Sequence, residues 1–136
     1  MRTIKFRGKR LHDGKWVYGY VLGHDTLPFM AIVTMNNTDK SVINKTTTSV
    51  KPDTIGQFTG LCDKNGKEIY EGDIVKFTNL HTYVGVVQWD LCNPCMCISY
   101  KNEYGYEDIE YDFIKAGNML IEVIGNIHDN LKLLEQ

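Results

Sequence analysis

The sequence predicts a mainly β protein whose short strands close into a small barrel. Three observations carry that expectation. Alanine, the best helix former, occurs only at Ala31 and Ala116. Glycine, tyrosine, valine, isoleucine and threonine, which suit strands and turns, are abundant in its place. Short apolar runs alternate with Gly-, Asn- and Pro-containing connections, the spacing of a small all-β domain.

In chain order, residues 4–8 and Trp16–Leu22 flank Asp13-Gly14, a dipeptide that tolerates the positive φ of a tight turn, and so predict a first hairpin. Trp16, Tyr18, Tyr20 and Leu22 share one face by the period of two, with Val17, Gly19 and Val21 on the other. Apolar groups on both faces predict a strand buried on both sides. Residues 28–35 form a second apolar run, Asn36-Asn37-Thr38-Asp39 a polar turn, and the Thr-rich residues 41–50 an exposed strand. Pro52 lacks a backbone donor and biases Lys51 towards an extended conformation, so Lys51-Pro52-Asp53 is the expected joint. It divides an N-terminal hairpin region, residues 1–52, from a barrel, residues 53–136, unless the two form one continuous domain.

Residues 55–61 read as a strand, and Asp63-Lys64-Asn65-Gly66-Lys67 as a tight turn centred on Asn65-Gly66. Glu68-Ile69-Tyr70 leads to a second sharp turn at Glu71-Gly72-Asp73. Strands are then expected from Ile74, over 83–89 and over 95–100. Residues 106–115 read both ways: Ile109 with Phe113 suits a helical turn, and Tyr111 with Phe113 a strand. Residues 120–127 close the sheet, and Asp129 stands where it could cap a short C-terminal helix through Leu131, Leu133 and Leu134.

A length of 136 residues suits one compact domain or two very small ones and excludes a large multidomain enzyme. With 43% hydrophobic and 24% charged residues the chain can bury a core, so it is expected to fold. A net charge of -2 supplies no global positive field, so nucleic-acid binding would need a local basic face. The basic N-terminus is not followed by an apolar run, and no stretch approaches the ~20 apolar residues of a membrane helix, so an intracellular place without a membrane partner is expected. There the four cysteines would remain thiols.

Three segments then resemble one family. They are Ile4-Lys5-Phe6-Arg7; the block Thr54-Ile55-Gly56-Gln57-Phe58-Thr59-Gly60-Leu61 with Asp63-Lys64-Asn65-Gly66-Lys67-Glu68-Ile69-Tyr70-Glu71-Gly72-Asp73-Ile74-Val75; and Ile121-Glu122-Val123-Ile124-Gly125-Asn126-Ile127. Together they are similar to the YopX-like proteins of phages and prophages over nearly the whole chain. The resemblance implies an SH3-like β-barrel in the second half, an origin in a bacteriophage or prophage, a place in the cytoplasm of the bacterial host, and self-association into a homo-oligomer. It carries over no activity and no catalytic residue.

The residues also explain the central block without a ligand. Gly56, Gly60, Gly66 and Gly72 stand at bends or turns, and Asp63 and Asp73 can hydrogen-bond the backbone of their turns. An acidic cation site from Asp63, Glu68, Glu71 and Asp73 matches no known loop pattern and has Lys64 and Lys67 among its members. Cys92, Cys95 and Cys97 include one Cys-x-x-Cys spacing, which suits zinc, but a fourth ligand would have to come from Cys62, His81 or His128. Packing thiols fit better, and no cofactor is expected.

His12, His24, His81 and His128 are scattered, and no nucleophile turn or phosphate loop is present, so the expectation is a non-enzyme. Lys5, Arg7, Lys9, Arg10 and Lys15, interleaved with Phe6, Trp16 and Tyr18, make the best case for a nucleic-acid surface. The plainer reading of that run is a solvated strand edge. The leading functional expectation is a non-catalytic oligomeric module that binds a host or phage macromolecule. The alternative is a small nucleic-acid-binding barrel, and a weaker third is a metal-dependent enzyme.

Overall fold

A computed structural model describes residues 3–23, 30–39, 42–111 and 120–135, and the fold is mainly β. The chain forms two compact units, Met1–Phe58 and Thr59–Gln136. Lys51-Pro52-Asp53 lies inside the first, where Pro52–Thr54 makes one 3-10 turn with proline at its start, a position that needs no backbone donor.

The first unit contains β1 (Phe6–Lys9), β2 (Trp16–Leu22), β3 (Met30–Asp39) and β4 (Val42–Val50); β5 (Gly56–Cys62) begins in it and ends in the second. With β6 (Glu68–Tyr70) they make an antiparallel sheet in the order β4-β3-β2-β1-β5-β6. The expected first hairpin forms around Asp13-Gly14, with Arg7 opposite Tyr18 and Lys9 opposite Trp16, and Gly14 has φ +68°. The polar turn expected at Asn36 to Asp39 does not form. β3 runs through those residues in register with β4, because paired strands satisfy their backbone groups, and a register shift between Asn37 and Asp39 absorbs the misfit. Pro28 and Ser41, at the expected limits of these two strands, lie outside the described residues. β4 exposes Thr46, Thr47 and Ser49 as expected, yet Val50 is fully buried, as is Ile32 of β3. Gly19 is required by close approach: a Cβ there would stand 2.2 Å from the Val33 carbonyl oxygen.

The second unit contains β7 (Asp73–Asn79), β8 (His81–Asp90), β9 (Cys95–Lys101), β10 (Glu107–Glu110) and β11 (Ile121–Asn126), in the antiparallel order β10-β9-β8-β7-β11. Its core is Ile69, Val75, Phe77, Val87, Met96, Ile98 and Ile121, with Leu61, Tyr83, Tyr100 and Val123 packed against it. The period of two places Met96, Ile98 and Tyr100 of β9 on the same side as this core.

Three expectations change. The barrel is not closed: β10 pairs only with β9 and β11 only with β7 among the described residues, so the sheet keeps two edges. Residues 107–110 of the ambiguous segment are a strand, held by pairing with β9, while Phe113 and Lys115 lie outside the described residues. The C-terminal helix is a single 3-10 turn, Leu131–Leu134, with Asn130 at its N-cap. Asp129 instead accepts a hydrogen bond from Asn126 Nδ2 at 3.1 Å.

Candidate functional site

β2 was expected to be buried on both sides, but its Tyr18, Tyr20 and Leu22 are 47%, 55% and 56% exposed. They alternate along one strand, so they share a face, and cross-strand register adds the cations of β1 to it. The Arg7 guanidinium lies 4.5 Å and the Lys9 ammonium 5.5 Å from the Trp16 ring centre, and the Lys5 ammonium lies 5.0 Å from that of Phe58. Arg7 is buried, and Lys5 and Lys9 are half-buried. Such stacking is worth about 0.5–1 kcal/mol each at exposed sites. It fixes the positions of these cations over rings.

Arg10 points elsewhere in its chemistry: its Nε donates to Asp13 Oδ1 at 2.9 Å, which stitches the hairpin turn. The Lys15 N–H and the Arg10 guanidinium hold the Asp13 carboxyl below the usual carboxylate range. Lys15 is exposed. The five basic residues singled out in the sequence are therefore divided between ring stacking, a turn ion pair and one exposed ammonium.

The glycine and aspartate block of the second unit is backbone architecture. Gly60, Gly66 and Gly72 have φ of +89°, +80° and +90°, whereas Gly56 sits in β5 opposite Arg7 and is not among the positive-φ glycines. Asp63 is buried and accepts three backbone N–H bonds, from Asn65 and Lys67 at 2.9 Å each and from Val123 at 2.9 Å. Burial alone would raise its pKa, but the Val123, Lys67 and Asn65 donors outweigh that and hold it low. The turn bonds were legible in the sequence; the bond to Val123 was not, because no local spacing connects residues 63 and 123. Asp73, also buried, accepts the Tyr70 N–H at 2.8 Å.

Cys92 lies exposed in the turn before β9, Cys95 is half-buried and Cys97 buried, and all are free thiols, as is Cys62. Burial pushes the Cys97 thiol up, which disfavours the nucleophilic thiolate. Among the described residues no three His, Cys, Asp or Glu side chains form a metal-sized group. Asp90 is engaged beside them by the Tyr111 hydroxyl, whose hydrogen bond holds that carboxyl low.

Two surface features escaped the sequence reading. The β9–β10 hairpin projects Tyr104 and Tyr106, 77% and 72% exposed, and is clamped by Asn102, whose Oδ1 accepts the Tyr104 and Tyr106 N–H groups at 3.0 and 3.1 Å. The spacing of Asn102 and Gly105 was a turn signal that could have located it. Near its base the Tyr83 hydroxyl donates to Glu103 Oε2 at 2.7 Å, and that bond pushes the phenol pKa up to about 12. On the second unit there is also a cavity of about 350 Å³, lined by Val84, Val86, Ser99, Lys101, Leu133 and Leu134 among others.

The family described as YopX protein has a model that matches residues 5–135. No curated protein matches the chain. Among solved structures, the crystal structure of protein EF1440 from Enterococcus faecalis is similar at TM-score 0.52 and 20% identity, over 98% of this chain and 99% of that one. At that identity the likeness is one of fold. Among the described residues no helix is long and apolar enough to cross a membrane.

Proposed function

The chain belongs to the YopX family, and from that premise we propose that it is a non-catalytic, self-associating interaction module of bacteriophage or prophage origin. It acts in the cytoplasm of the bacterial host by binding a host or phage macromolecule. We read its second unit as an open relative of an SH3-like small barrel, serving as a scaffold. The observation that carries the reading is the strip Tyr18, Tyr20 and Leu22, three large side chains side by side on one strand and each about half exposed. Large apolar and aromatic groups that a monomer leaves in contact with water mark contact sites, and a second copy is the commonest occupant. Tyrosine suits such a surface because it brings area at little rotamer cost.

Light scattering at micromolar concentration tests the reading. A mass above the 15.6 kDa of one chain is expected. A monomer at every concentration up to about 100 μM, a range that covers ordinary specific association, would overturn it.

A further inference from the structure

We propose that the exposed face of β2 receives the β9–β10 hairpin of a second copy of this chain. The inference rests on the self-association proposed above and names the two surfaces that meet. Charge is divided unevenly along the sequence: residues 1–58 carry nine Lys and Arg against four Asp and Glu, and residues 59–136 six against thirteen. Formal charges of +5 and -7 are thus concealed in a total of -2. On the receiving face Arg7 stands opposite Tyr18 and Lys9 opposite Trp16, and the Lys5 and Lys9 ammonium groups lie over the Phe58 and Trp16 rings.

The hairpin has the matching chemistry. Glu103, Glu107 and Asp108 are exposed, no cation lies between residues 102 and 110, and Tyr104 and Tyr106 stand out from the turn. The Asn102 clamp and the positive φ of Gly105, +81°, fix the loop before contact, so little ordering is needed on binding. Carboxylates would meet ammonium groups at the rim, and phenol rings would meet Tyr18, Tyr20 and Leu22 at the centre, the usual arrangement of an apolar core within a polar border. Because the two patches differ, the contact either closes reciprocally in a twofold pair or continues from copy to copy into a ring or a filament.

Two variants test this, both changed only at exposed positions: Tyr18→Ser/Tyr20→Ser/Leu22→Ser, which lacks the receiving face, and Glu103→Lys/Glu107→Lys/Asp108→Lys, which lacks the acidic hairpin. Each alone should sediment as a 15.6 kDa monomer with the circular dichroism of the native chain. Mixed in equal amounts they should form a capped one-to-one dimer, since each supplies the surface the other lacks. Raising salt from about 50 to about 500 mM should weaken association of the native chain by about tenfold or more. If the lysine variant does not fold, Glu103→Gln/Glu107→Gln/Asp108→Asn replaces it, with the same expected direction. Unaltered self-association of the acidic-hairpin variant, or a mixture that stays monomeric, would overturn the hairpin-to-β2 contact while leaving self-association standing. A native chain that is itself monomeric would remove both.

Discussion

β2 and β9 are interior strands of their sheets, and both alternate large apolar groups along one face, yet they end in opposite environments. In the second unit Met96 and Ile98 are sealed into a core with Ile69, Val75, Phe77, Val87 and Ile121. In the first, Tyr18, Tyr20 and Leu22 stay about half exposed while the opposite side of the sheet buries Ile32 and Val50. A period of two establishes that residues share a face, but what covers the face is decided by long-range packing. That difference separates a unit whose distinctive residues serve folding from one whose distinctive residues are left at the surface.

The largest expected effect is Gly19→Ala, which attacks the first unit from inside its sheet. The new Cβ would lie 2.2 Å from the Val33 carbonyl oxygen, backbone that cannot rotate aside. A loss of about 3–5 kcal/mol in urea unfolding is expected, at the upper end of single-substitution effects. A loss under about 1 kcal/mol would show that β2 and β3 are not paired as described.

Asp63→Ala makes the corresponding cut in the second unit, and about 2–4 kcal/mol should be lost, because it strands backbone donors of Asn65, Lys67 and Val123. The folded pKa of Asp63 is depressed, so its contribution is complete above the unfolded value of about 3.9 and disappears as pH falls through the lower folded value. Stability of the native chain should therefore decline more steeply below about pH 4 than that of Asp63→Asn. Parallel acid profiles would remove Asp63 from its place as the tie between the turn and β11.

Gly72→Val should cost about 1–3 kcal/mol through strain at φ +90° while leaving self-association unchanged. A shift in oligomer mass at equal stability would make the block 63–73 a contact surface after all. The smallest effect belongs to Cys92→Ser/Cys95→Ser, expected within about 0.5 kcal/mol of the native chain because neither thiol is fully buried. Stoichiometric zinc in purified protein, with unfolding on chelation, would contradict that expectation and make residues 92–97 a structural metal site.

The second unit was the more legible of the two. Asn65-Gly66 and Glu71-Gly72-Asp73 announce their turns locally, and the glycines there do take positive φ. Closure was not legible, because whether end strands meet depends on curvature and on contacts far apart in sequence. For the same reason the Thr38 region read as a turn although pairing with β4 carries it as a strand. In the first unit the basic run was visible, but not that the Lys9 and Lys5 ammonium groups lie over the rings of Trp16 and Phe58. The exposure of Tyr18, Tyr20 and Leu22 could not be read from a pattern that buried and surface strands share.

Sedimentation velocity on the native chain and on Tyr18→Ser/Tyr20→Ser/Leu22→Ser, at matched concentration and with thermal unfolding recorded for both, tests the central claim that the β2 face is a contact surface. The native chain should sediment above 15.6 kDa and the variant at it, with the variant's own unfolding free energy changed by no more than about 1 kcal/mol once the contribution of association is removed. Equal masses for the two proteins, or a variant that fails to fold, would contradict it: the first would place any association elsewhere, and the second would make these residues part of the core.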